Sequence, residues 1–121
     1  MIKIAKKEVF NEDLVQNWIR QLRKGSLELV ILSYIEKKDE KTYGYEIIKN
    51  LKEGGIAAEG NTVYPILRRL ENNGLIKSQW ITRDNQPKKF FRITSKGSSI
   101  LIEIKDAWNE YYEKINKFLE K

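Results

Sequence analysis

At Asn73-Gly74 the period of the apolar residues switches from helical to alternating, and this constrains the fold more than any other feature of the chain. Upstream, Val63, Ile66, Leu67 and Leu70 recur as one face of a helix over about 62–73. Downstream, Ile76, Ser78, Trp80 and Thr82 alternate with Lys77, Gln79, Ile81 and Arg83. A polar tip, Asp84-Asn85-Gln86-Pro87, then leads into Lys88–Ile93, so the segment reads as a β-hairpin.

Three further helices are expected before this unit and one after it. Asn11-Glu12-Asp13 supplies a capping side chain and first-turn acids for a helix through Leu14, Trp18, Ile19 and Leu22, ending at Lys24-Gly25. Ser26 can cap a second, in which Leu27, Val30, Ile31, Tyr34 and Ile35 form a stripe that Leu29 and Leu32 broaden. It is therefore expected to be the most buried helix. After a charged loop, Lys37–Lys41, Thr42 opens a third helix with Gly44, Ile47, Ile48 and Leu51 inward and Gly54-Gly55 as its stop. Thr94 is placed to cap a final helix from about Ser95. Helices, hairpin and helix in this order give a mainly α fold with a small β-hairpin, the plan of a winged helix-turn-helix with a C-terminal helix. The expected organisation is an N-terminal segment and extra helix at 1–25, the winged unit at 26–94 and the C-terminal helix at 95–121.

Charge locates the working face. Residues 61–97 hold eight Lys/Arg and two Asp/Glu, an excess equal to the net +6 of the whole 121-residue chain. A basic block on an otherwise balanced domain suits an anionic partner, with a merely soluble surface as the plain alternative. The chain has no cysteine and no histidine, which removes disulfides, thiolate and imidazole metal ligands, and the usual bases for activating a nucleophile. With four scattered aspartates and no phosphate-cradling glycine loop, an enzyme has nothing to stand on, and no cofactor or metal is expected. No secretory signal or bilayer-length apolar run appears, so a cytoplasmic protein is expected.

Three features can carry function. Opposite the apolar stripe of the 62–73 helix lie Asn61, Thr62, Tyr64, Arg68, Arg69 and Asn72, groups suited to reading DNA from a helix's first turns. The competing reading is a solvated face whose arginines pair with Glu71 or water. Pro65 is expected in the first turn, with Asn61 or Thr62 as cap, where a missing N–H costs little. At the hairpin, Arg83, Lys88 and Lys89 (a wing at 83–89) suit phosphates or the minor groove, with lysine edge protection as the alternative. In the last helix, Leu101, Ile104, Trp108, Tyr111, Ile115 and Phe118 make a heptad stripe that Ala107, Tyr112 and Leu119 widen. Its first turns are expected to pack within the protomer and the rest against a second subunit.

The runs RKGSLELVILSYI, TYGYEIIKNL, NTVYPILRRLENNGLI and KKFFRITSKG resemble the PadR family of bacterial transcriptional regulators over about residues 22–120. The most telling part is TVYPILxRLExxGLI followed at hairpin distance by FRITxxG. The resemblance implies a winged-helix homodimer joined through the C-terminal helix, acting as a repressor on operator DNA and relieved by a small aromatic molecule. The single C-terminal helix is similar to that of the small subfamily. Trp108, eleven residues after Gly97, resembles the dimer-interface tryptophan of multidrug-responsive members, with Ile104 and Tyr112 beside it as candidate effector contacts. Bulky Ile104, Tyr111 and Tyr112 are also the side chains that can close such a cavity. The extra helix, through Leu14 and Trp18, is expected to brace the dimer.

The leading expectation is thus a homodimeric DNA-binding regulator using Asn61, Tyr64 and Arg68 near bases and Tyr43, Lys88 and Lys89 on the backbone. The alternative is a winged-helix module for protein contact with no specific DNA binding.

Overall fold

The computed structural model describes residues 2–120. Met1 and Lys121, the outer ends of the expected 1–25 and 95–121 ranges, lie outside the described residues. Seven elements follow: α1 (Ile2–Lys38), β1 (Thr42–Tyr43), α2 (Gly44–Glu53), α3 (Gly60–Asn72), β2 (Ile76–Arg83), β3 (Gln86–Ile93) and α4 (Ser95–Leu119). The strands form one antiparallel sheet in the order β1-β3-β2. Among the described residues no helix is long and apolar enough to cross a membrane.

The first two expected helices are one. α1 runs unbroken for 37 residues, about 55 Å, so Asn11-Glu12-Asp13 is helix interior and the expected boundary at residue 25 falls inside an element. Gly25 costs the helix about 1 kcal/mol and does not end it. The Ser26 hydroxyl caps nothing; it donates back to the carbonyls of Leu22 and Arg23, as serine does in mid-helix. The helix ends at Lys38, two basic residues favouring its C-terminus, and the loop is shorter than expected, with Asp39 and Glu40 both left-handed (φ 48° and 70°).

Buried Leu27, Ile31, Leu32 and Ile35 of α1 meet Ile47 and Leu51 of α2 and Val63, Ile66, Leu67 and Leu70 of α3. Phe91 of β3 and Leu101 of α4 close the core. The expected inward faces of the second half of α1, of α2 and of α3 are therefore the observed ones, whereas α4 contributes only Leu101 of its stripe to this core.

Thr42 does not open a helix. It pairs with Phe91 and Tyr43 pairs with Phe90, forming the third strand, and α2 starts only at Gly44. Two residues are too few to show any period, so tertiary pairing alone decides this element. Thr42 is fully buried and its hydroxyl has no hydrogen-bond partner. An unpaired buried hydroxyl costs about 1–3 kcal/mol, so Thr42→Val is expected to raise stability by about 1 kcal/mol in urea unfolding.

α3 begins at Gly60, two residues before the earliest expected start, with Glu59 at its N-cap and no capping side chain. The Glu59 carbonyl instead accepts from the Thr62 and Val63 amides. Pro65 is consequently the sixth helical residue and not in the first turn. It deprives the Asn61 carbonyl of its i+4 donor, at an exposed position where water can substitute.

The hairpin turn is also tighter than expected. Asp84 and Asn85 take φ of 52° and 63°, the left-handed pair of a type I′ turn, and Gln86-Pro87 already belong to β3. Pro87 pairs with Thr82, one step beyond the hydrogen-bonded pair beside the turn, so its missing N–H faces away from β2. β1 does not extend that far.

Candidate nucleic-acid interface

The register fixes which hairpin residues face α3. Ile76, Ser78, Trp80 and Thr82 stand opposite Ile93, Phe91, Lys89 and Pro87 on one face, and Lys77, Gln79, Ile81 and Arg83 opposite Arg92, Phe90, Lys88 and Gln86 on the other. The first face is core near Ile76 and Phe91. Further out it parts from α3 and leaves a groove of about 410 Å³, lined by Tyr43, Tyr64, Arg68, Trp80 and Lys89 among others. Lys88, which the register places on the other face, also reaches the lining, beyond the last residue of β3 that β1 covers. Five of the nine expected contact residues thus converge: Tyr43, Tyr64, Arg68, Lys88 and Lys89.

Tyr64 is fixed by what is missing beside it. A Cβ on Gly44 would lie 2.4 Å from Tyr64 Cε1, and one on Gly60 would lie 3.1 Å from Tyr64 Cε2. Two glycines, one opening α2 and one opening α3, therefore form the slot that holds the ring. The ring still leaves Tyr64 exposed on the outer side. Arg68, one turn on, is exposed, as are Asn61 and Thr62 in the first turn.

On the sheet side, the Lys88 ammonium stands 4.4 Å above the centre of the Tyr43 ring and 3.4 Å from its hydroxyl. Tyr43 in turn packs edge-on against Phe90. Lys88 is thereby presented on a rigid aromatic base.

Three expected contacts are placed elsewhere or engaged. Arg69 Nε donates to Glu28 of α1 at 2.7 Å, so this arginine braces α3 against α1 instead of joining the groove. Arg83 lies over Phe90 on the opposite hairpin face, lining a second cavity of about 220 Å³ with Asp39, Glu40 and Arg92. Lys89 lines the groove but its ammonium is 3.3 Å from Glu71, whose other oxygen accepts from the Ser78 hydroxyl. That hydroxyl and the lysine hold the Glu71 carboxyl below its ordinary pKa against the opposing effect of burial. The pairing of arginine with Glu71 weighed from the sequence is thus made by a lysine of the wing. Trp80, Tyr45 and Pro87 join the lining and were not anticipated. The one signal for Trp80 in the sequence is its place in the alternation of Ile76 and Ser78, which puts it on the face toward α3.

The expected interface residues divide sharply. Leu101 is fully buried in the protomer's own core and is no interface residue; Ile104 is half-buried. Beyond it Trp108, Tyr111, Tyr112, Ile115, Phe118 and Leu119 are all exposed, Phe118 at 91%. Leu14 and Trp18 of α1 are exposed as well, so α1 does not cover the α4 stripe within one chain. Ile104, Trp108 and Tyr112 line neither of the two cavities described.

Residues 31–103 match the transcriptional regulator PadR-like family. The chain belongs to the PadR family. It is 34% identical to a PadR family transcriptional regulator from Eggerthella lenta, over 93% of this chain and 98% of that one, with a TM-score of 0.85. A PadR-like transcriptional regulator from Bacillus cereus is 31% identical over 84% and 98% of the two chains, with a TM-score of 0.71. A transcriptional regulator of Mycobacterium tuberculosis is 28% identical over 92 residues, 76% of this chain and 84% of that protein. PadR members are regulators of transcription and not enzymes. Within this PadR chain the matched span runs from the last turns of α1 to the first turns of α4, and so contains the whole groove.

Proposed function

We propose that this PadR chain is a homodimeric repressor that binds double-stranded DNA through the groove between α3 and the hairpin. The observation that carries the reading is the union of Tyr64 and Arg68 on α3 with Lys88 on β3 in one exposed channel. Helix first turns read base edges in the major groove, so Asn61, Thr62 and Tyr64, with Arg68 one turn further along, are the readers. Tyr43 and Lys88 hold the backbone and Arg83 meets phosphates beside the wing tip. Arg69 and Lys89 leave the contact set, because each is already paired within the chain.

The second subunit covers the exposed stripes of α1 and α4, a run of apolar side chains too long for a lone soluble surface. Two copies of α3 would then address half-sites about 34 Å apart on a pseudo-palindrome. A planar aromatic effector would lie between the subunits at Trp108, since one chain offers only one wall there. Such a regulator acts in the cytoplasm.

A protein-contact module is favoured by one observation, the exposed Trp80 and Tyr45 at the same groove. It gives no role to Arg68 or to Lys88 on its aromatic base.

Arg68→Ala is expected to weaken binding to duplex DNA from upstream of the protein's own coding region about five- to tenfold, or roughly 1 kcal/mol. Dimerisation should be unaffected. A gel-shift titration at fixed salt reads the first and sedimentation the second. Unchanged affinity would exclude this face as the reader.

A further inference from the structure

An anion sits inside a surface otherwise built for anions. Glu71 is the penultimate residue of α3, where the helix dipole disfavours a carboxylate. It lies in the lining of the groove with Arg68 three residues before it. Nothing in the core needs the charge: the apolar face of α3 ends at Leu70, and an alanine or glutamine would complete the helix equally well. The carboxylate is nevertheless held from two sides, both in the wing. Ser78 of β2 donates to one oxygen and Lys89 of β3 stands 3.3 Å from the other. Neither Glu71 nor Lys89 is fully buried, their side chains being about a third exposed (32% and 39%), so water and salt moderate the pair without dissolving it.

We propose that Glu71 is a positioning and specificity-setting residue of the DNA face, which docks the wing on the recognition helix and keeps Lys89 from phosphates. This rests on the DNA-binding reading above. Every cation that reaches a phosphate strengthens binding to all sequences alike, because counterion release carries no sequence information. Holding Lys89 on Glu71, and leaving a carboxylate in the channel, lowers that indiscriminate attraction and leaves base contacts from α3 to decide affinity. The same two bonds span both strands of the hairpin, so the wing's distance from α3 is set by the residue that tempers its charge.

The proposal gives a charge count that a salt titration reads. Glu71→Gln keeps an acceptor for Ser78 and frees Lys89. Binding of the full-length protein to an unrelated duplex should strengthen several-fold at 50 mM salt. The slope of log K against log salt should steepen by about 0.9, one more phosphate contact. Preference for the upstream duplex over the unrelated one should narrow. Lys89→Gln alone should leave the slope as in wild type, yet in the Glu71→Gln background it should remove the added 0.9. Thermal unfolding of each variant confirms that the fold is retained, and Lys89→Gln changes only a partly exposed side chain. A wild type that binds DNA while Glu71→Gln leaves the slope unchanged overturns the proposal alone. So does a slope already lowered by Lys89→Gln in the presence of Glu71, which would place Lys89 on a phosphate from the start. A wild type without measurable duplex binding overturns the proposal together with the reading on which it rests.

Discussion

Gly97→Ala is expected to lose about 3 kcal/mol of stability, a large part of what a domain of this size commands, lowering the unfolding midpoint by about 10 °C. Gly97 is in the first turn of α4, where alanine would ordinarily gain about 1 kcal/mol over glycine. Here the sign reverses. A Cβ would stand 2.0 Å from the Leu75 carbonyl oxygen and 2.7 Å from Ile93 Cγ1. The first obstacle is backbone, and it cannot swing aside. The same carbonyl accepts from the Thr94 amide and hydroxyl, while the Thr94 hydroxyl accepts from the Gly97 amide at 2.9 Å. The start of α4 is therefore bonded to the α3–β2 connection at the one point where no side chain can intervene. Moving α4 to admit a methyl group would break the cap as well as the packing. This is the physical content of the spacing FRITxxG: the threonine caps, and three residues later the glycine admits the carbonyl. Thermal melts of the two proteins followed by circular dichroism measure the difference, and equal midpoints would mean that α4 can shift without cost.

The identical substitution at Gly44 should do nearly the opposite. Its Cβ would fall 2.4 Å from Tyr64 Cε1, but the obstacle is the ring of an exposed side chain, which can rotate out. Stability is expected to change by less than about 1 kcal/mol. Affinity for DNA is expected to fall about thirtyfold, roughly 2 kcal/mol, because the displaced ring takes the first turns of α3 out of contact and partly blocks the groove beside Arg68. A double-mutant cycle isolates the route: Gly44→Ala should add almost nothing to Tyr64→Ala if it acts through that ring. A Gly44→Ala protein that binds like wild type would show that the slot does not govern the reading face.

The apolar periodicity shows the existence and type of α2, α3, the hairpin and α4 and the buried faces of α2 and α3, because packing follows the stripe. The features that escaped are those in which a local signal had two meanings. Gly25-Ser26 reads as a stop and a cap, yet both residues tolerate a helix interior when good helix formers flank them. Thr42 reads as a cap, yet Phe91, 49 residues away, claims it for a strand. Asn61 and Thr62 read as caps, yet α3 starts earlier, its first turn closed by the Glu59 carbonyl, which accepts from the Thr62 and Val63 amides. At the groove, the basic excess and the residue types pointed to five of the side chains that converge there. Which cations face it was decided by pairings of long sequence separation, Arg69 with Glu28 and Lys89 with Glu71, for which neither spacing nor composition carries a signal.

The short reach of β1 has a consequence for solubility. It covers β3 only at Phe90 and Phe91, leaving the outer rim of β3 from Gln86 to Lys89 uncovered by β1. An uncovered rim is a template on which another extended chain can add, the usual route to strand-mediated aggregation. Pro87 removes a donor from that rim, and the charges of Lys88 and Lys89 repel a like copy of the same strand. The hairpin can therefore project toward a polyanion without offering itself as a seed for other hairpins.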